Sequence, residues 1–162
     1  MYAFFSLELR PTSDRLLTFF IYWIKHEFTR DIIMKPLVAK SWEADYLATP
    51  PPYERQRQVI FSKRKFGISS ASICSVTIPP GSKSDEHLHE ANDEIWIITR
   101  GKGKVIVDGN EAAVEPGIVV CAPAKSKHQI VNTANEVLHA YIVFGPAGPE
   151  DWLEKEIEKK SR

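Results

Sequence analysis

An all-β sandwich or barrel is the fold class this sequence predicts, and three observations predict it. Short apolar runs recur at regular spacing from about Gln58 to Phe144, turn residues separate them, and an Asp108-Gly109-Asn110 step marks a tight hairpin. Composition agrees with a globular chain: 162 residues, 43% apolar, 26% charged, and 21 basic against 21 acidic side chains. That balance leaves no global field, so neither nucleic acid nor an anionic membrane surface is expected as a partner.

In chain order, residues 1–33 are rich in aromatics, and Leu16, Leu17, Phe20, Trp23, Ile24 and Phe28 recur at helical spacing behind Ser13 or Asp14. Two readings stand side by side: an amphipathic N-terminal helix, or an extension upstream of a native start at Met34. The apolar stretch Leu16–Ile24 is far short of the roughly 20 residues of a spanning helix. Residues 34–57 form a lead-in whose Thr49-Pro-Pro-Pro-Tyr53 segment lacks backbone donors and reads as a stiff connector.

The barrel is expected over residues 58–146. Its strands are Gln58–Ser62, Ser69–Ile78, Glu94–Thr99, Lys104–Val107, Glu111–Val114, Ile118–Cys121, His128–Val131 and Val137–Phe144, with Pro79-Pro-Gly81, Pro116-Gly117 and Asn132–Asn135 among the turns. Residues 147–162 hold a short helix, acids in its first turn and lysines in its last, expected as a cap on the outside. Cys74 and Cys121 lie in apolar runs and read as small buried hydrophobes; free thiols fit a reducing compartment, and the expected location is the cytoplasm.

One stretch carries chemistry. His87 and His89 are one residue apart, so in extended chain they share a face, and Glu94 follows five residues later. Imidazole and carboxylate at that spacing are most of a metal site. By the same alternation Trp96 shares the face of Glu94, and Ile130 that of His128: Trp96 either fills the core or walls a ligand pocket, and Ile130 is a further candidate for that wall.

The full stretch Gly81-x5-His87-x-His89-x4-Glu94-x6-Gly101 resembles the first signature of the cupins, and Gly117-x5-Pro123-x-Lys125-x2-His128-x3-Asn132 is similar to their second. The resemblance implies a double-stranded β-helix of the jelly-roll type holding one divalent transition metal (Mn, Fe, Ni, Co or Zn) on His87, His89, Glu94 and His128. Three imidazoles and a carboxylate suit those ions better than Mg or Ca, and octahedral geometry leaves two positions open. The family spans isomerases, decarboxylases, dioxygenases, lyases, metal-free epimerases, storage proteins and ligand sensors. The expectation is a metal-dependent enzyme on a small polar or anionic molecule, of isomerase or decarboxylase type. A dioxygenase and a non-catalytic binding or regulatory cupin are the alternatives.

The second signature departs at Lys125, where a glycine is usual: either the loop avoids a positive φ or it tolerates one. Lys125, with Lys83 and Lys127, has two readings: a cationic group that draws an anion to the mouth, or solvated loop lysines. His139 and Tyr141 share a parity late in the barrel and are the catalytic acid-base candidates, and Tyr53, Arg55 and Arg57 are placed to fold over the mouth. A homodimer is expected, through the N-terminal segment or an edge strand.

Overall fold

Alternation of buried and exposed side chains runs through the longest strands. In the segment Leu138–Gly145 every second residue is buried, and in Asp93–Arg100 the buried positions are Glu94, Trp96 and Ile98. Each therefore presents one face to a core and the other outward. The computed structural model describes residues 37–160, and the elements below all fall within one compact unit, Ala39–Arg162.

A 3₁₀ turn at Ser41–Glu43 precedes β1 (Tyr46–Thr49) and β2 (Arg55–Phe61); a one-turn helix α1 (Lys63–Phe66) leads to β3 (Ser72–Ile78). Then come β4 (Asp93–Arg100), β5 (Gly103–Val107), β6 (Asn110–Val114), β7 (Val119–Ala122), β8 (His128–Asn132), β9 (Leu138–Gly145) and the terminal helix α2 (Asp151–Lys160). A six-stranded sheet runs β1-β2-β3-β9-β4-β7 and a three-stranded sheet runs β6-β5-β8, every pairing antiparallel. This is a jelly-roll barrel, and its inward positions, among them Val76, Ile78, Trp96, Val105, Ile130 and Leu138, form one core.

Two details lock the register. Ile97 opposes Tyr141 and Ile98 opposes Ala140, after which the register slips so that Arg100 opposes His139; the slip ends the strand at Gly101. Gly101 has φ +78, and a Cβ there would overlap the Val137 carbonyl, so the turn accepts only glycine.

The eight expected strands are all present within a few residues. The structure begins its β-structure earlier, because β1 and the first residues of β2 lie in the lead-in and Pro50–Tyr53 is the turn joining them. Cys121 is exposed, not buried: Val120 packs on the core and Ala122 is fully buried, so alternation turns Cys121 outward. The terminal helix is more than an external cap, since Leu153 and Ile157 enter the core. Both the N-terminal helix and the Met34 start lie outside the described residues. Among those residues no helix is long and apolar enough to cross a membrane.

Candidate metal centre and ligand cavity

Strand geometry assembles the cluster. The loop carrying His87 is stapled to β8 by reciprocal backbone hydrogen bonds, His87 N–H to the His128 carbonyl at 3.1 Å and His128 N–H to the His87 carbonyl at 2.8 Å. The Lys125 N–H donates to the His89 carbonyl at 2.7 Å, fixing the next turn. Glu94 enters from β4, pairing with Ala122 on one side and Phe144 on the other. Nε2 of His89 is then 2.9 Å, Nε2 of His128 3.0 Å and Nε2 of His87 3.9 Å from Oε2 of Glu94.

The donor orientation suits a cation. Nδ1 of His87 donates to the Asp85 carbonyl (3.0 Å) and Nδ1 of His128 to the Ser126 carbonyl (2.9 Å), which leaves each Nε2 with a lone pair facing Glu94. On the carboxylate, Oε1 is occupied by the Trp96 indole N–H at 2.5 Å, leaving Oε2 for the imidazoles. Nε2 of His128 is the telling atom: it is buried and makes no hydrogen bond, though Oε2 of Glu94 is close. Two lone pairs converge there, and a metal ion would satisfy both. All four donor atoms lie within 4.8 Å of one another. Two ligands on opposite sides of an ion, each about 2.2 Å from it, span about 4.4 Å, so shifts of tenths of an ångström bring all four to one ion. The residues fit the group that the spacing implies.

Electrostatics agree. Burial acts to raise the Glu94 carboxyl, but the close approach of the His128 and His89 imidazoles outweighs it and holds the group down at about 2. Burial lowers the His87 pKa, keeping that ring neutral. For His128 burial also acts downward, but the neighbouring Glu94 carboxylate raises the pKa overall.

Beside the cluster opens a cavity of about 220 Å³. Trp96 and Ile130 stand on its wall, with Ile142 and Phe144 extending the apolar side. Arg55, Arg57, Asp85 and Glu150 supply the polar side, and Pro149, Trp152 and Leu153 bring the start of α2 against it. Arg55 is neutralised by Asp85 at 2.5 Å. Arg57 has no carboxylate partner among the described residues: its Nε is buried and unpartnered, and its guanidinium lies 4.6 Å from the Trp152 ring centroid. Burial first, then repulsion from Arg55, pushes its pKa down to about 10, still charged at neutral pH.

Other candidates lie elsewhere. Lys125 is exposed, and neither it nor Lys83 or Lys127 lines the cavity; the mouth's cations are arginines from β2. Lys125 has φ +69, so the loop tolerates the conformation that glycine usually supplies. His139 and Tyr141 alternate with the buried Ala140 and Ile142 and occupy the opposite face of β9. There His139 Nδ1 is 2.5 Å from Thr99 Oγ1, and the Tyr141 hydroxyl is 3.0 Å from Ser41 Oγ. The sequence reading missed Glu150, which sits between a glycine turn and a helix and looks there like an ordinary acidic first-turn residue.

Comparison with known proteins places this geometry. The Cupin domain family model matches residues 74–144. An uncharacterised protein of Methanocaldococcus jannaschii is 33% identical over 64 residues, which are 40% of this chain and 51% of that protein. The oxalate-binding protein of Thermotoga maritima is 29% identical over 85 residues, 52% of this chain and 70% of that one. The chain thus spans about half the length of the first of these relatives. In three dimensions, a predicted oxalate decarboxylase of Thermotoga maritima superposes with a TM-score of 0.62 at 24% identity, over 68% of this chain and 99% of that one. Barrel and ligand spacing agree with the family match, which identifies residues 74–144 as a cupin domain.

Proposed function

We propose that this protein is a mononuclear metal-dependent enzyme acting on a small anionic molecule, by a reaction of decarboxylase or isomerase type. Arg57 carries the proposal. A half-buried guanidinium without a carboxylate partner, in the same cavity as four convergent metal ligands, is a site with one positive charge left to answer.

His87, His89, Glu94 and His128 would hold the ion, which when bound supplies a Lewis acid to a substrate oxygen. The remaining work belongs to the chain. Arg57 binds and orients the substrate carboxylate, its plane steadied by Trp152. Trp96, Ile130, Ile142 and Phe144 exclude water from that end of the cavity, which strengthens every charge interaction inside. Trp96 holds the Glu94 carboxylate by its indole N–H, fixing which oxygen faces the histidines.

A second reading, binding without turnover, is favoured by the likeness to an oxalate-binding protein. Calorimetric titration of Mn(II)-loaded protein with small carboxylates tests both readings against Arg57→Gln. Affinity is expected to fall about tenfold or more in the variant with metal content unchanged; equal affinities would refute the anion site. Carbon dioxide release or isomerised product marks an enzyme, stoichiometric oxygen uptake a dioxygenase, and tight binding without product a binding module.

The proposed assembly is a homodimer, supported by β1 and β7 at the sheet edges with Tyr46 and Val119 exposed. The proposed location is the cytoplasm, supported by the exposed free thiol of Cys121.

A further inference from the structure

The carboxylate of Glu150 is divided. Oε2 accepts from the Ser72 hydroxyl at 2.6 Å and from the Gly148 N–H at 2.9 Å. Oε1 is buried and accepts nothing. The residue is 1% exposed, lines the cavity, and has no cation within ion-pair distance among the described residues. Its neighbour Cys74, also on the wall, is held as the neutral thiol by burial and by the Glu150 charge. A buried carboxylate oxygen without a donor is costly, and this one belongs to a residue on the cavity wall.

We propose that Oε1 of Glu150 accepts a hydrogen bond from a hydroxyl group of the bound molecule, so that the site selects hydroxy acids over dicarboxylates of the same length. The inference rests on the anion reading above and assigns the other end of the ligand. A second carboxylate brought to Glu150 places like charges together in a desolvated space, whereas a hydroxyl donates and carries no charge. An ammonium is disfavoured because it would share this wall with the Arg57 guanidinium, which has no carboxylate partner among the described residues. One ligand end thus answers Arg57 or the metal, and the other answers Glu150.

The test uses Mn(II)-loaded protein and three matched pairs, glycolate with oxalate, 3-hydroxypropionate with malonate, and 4-hydroxybutyrate with succinate. Within each pair a hydroxymethyl end replaces a carboxylate. Calorimetry reads the affinity ratio in the natural protein, in Glu150→Gln and in Ser72→Ala, which disturbs the other oxygen only. In at least one pair the natural protein is expected to prefer the hydroxy acid. Glu150→Gln, which removes the charge and adds a donor, is expected to move that ratio about tenfold toward the dicarboxylate, and Ser72→Ala to leave it in place. Preference for the dicarboxylate in all three pairs by the natural protein overturns the inference even if the variant does not fold. So does a ratio that Glu150→Gln leaves unmoved, or that Ser72→Ala moves equally. If no member of any pair binds, the anion reading itself fails, which is a distinguishable result.

Discussion

Trp96 and Glu94 stand two residues apart on one face of β4, and the indole N–H of the first donates to Oε1 of the second at 2.5 Å. The pair explains why a carboxylate that is 3% exposed stays ionised and oriented: one oxygen is anchored by a fully buried ring and the other faces three imidazoles. Replacing Trp96 with Phe keeps most of the packing and removes the anchor. Metal affinity is expected to fall about 10- to 100-fold, read by competition with a chelator, with a stability loss of about 1–3 kcal/mol. Unchanged affinity would show that Glu94 needs no anchor.

The ionisation of Glu94 predicts acid sensitivity. Its carboxyl is held at about 2 in the folded metal-free chain, below the ordinary 4.5. The stability it contributes is therefore complete above about pH 4.5 and disappears as pH falls toward 2. His128 is shifted the other way, upward through Glu94; its contribution is complete below the ordinary 6.5 and lost as pH rises through its folded value. The two shifts describe one interaction and count once. Because metal binding needs neutral His128, metal affinity is expected to drop as pH falls through that raised value, with protons released on binding. Potentiometric or dye-based proton counting during metal addition checks it; binding with no proton release at or below the ordinary imidazole value of 6.5 would contradict the shift.

Lys125 offers a stability gain. At φ +69 it pays the left-handed penalty that a glycine avoids. Lys125→Gly is expected to raise the melting midpoint by a few degrees, about 0.5–1 kcal/mol, without altering ligand affinity, since the side chain is not on the cavity wall. A lower midpoint would mean that the extra chain freedom of glycine in the unfolded state outweighs the relief of strain.

Much of this architecture was legible, and the exceptions share a cause. His87, His89 and Glu94 lie along one stretch, where the two-residue period of extended chain fixes which side chains share a face. Period does not say which face looks inward. His139 and Tyr141 share a face as expected, but Ala140 and Ile142 hold the buried side, and Cys121 is turned out for the same reason. Arg57 is expected over the mouth with Tyr53 and Arg55, but nothing local in Arg55-Gln-Arg57-Gln says which arginine finds a carboxylate. Glu150 is harder still: it meets the cavity from the approach to α2, and nothing in Pro149-Glu150-Asp151 marks it as buried.

The terminal helix is tied to the barrel by a second buried carboxylate. The Ser62 hydroxyl lies 3.1 and 3.2 Å from the two oxygens of Glu154, which is 1% exposed, and Lys65 Nζ is 3.8 Å away. Ser62 also caps α1 by accepting from the Lys65 N–H. Ser62→Ala removes the hydroxyl from the Glu154 carboxylate and the acceptor from the Lys65 N–H, and is expected to cost about 2–3 kcal/mol in a urea denaturation series. A loss under about 0.5 kcal/mol would show that water replaces the hydroxyl.

The central claim is that four side chains hold one ion, and elemental analysis of the purified, dialysed protein tests it most directly, alongside His128→Ala and Glu94→Gln. The account predicts about one transition-metal ion per chain in the natural protein, or after reconstitution, and loss in both variants while the barrel's circular dichroism is preserved. Failure of the natural protein to take up Mn, Fe, Co, Ni or Zn, or equal uptake by both variants, would contradict it.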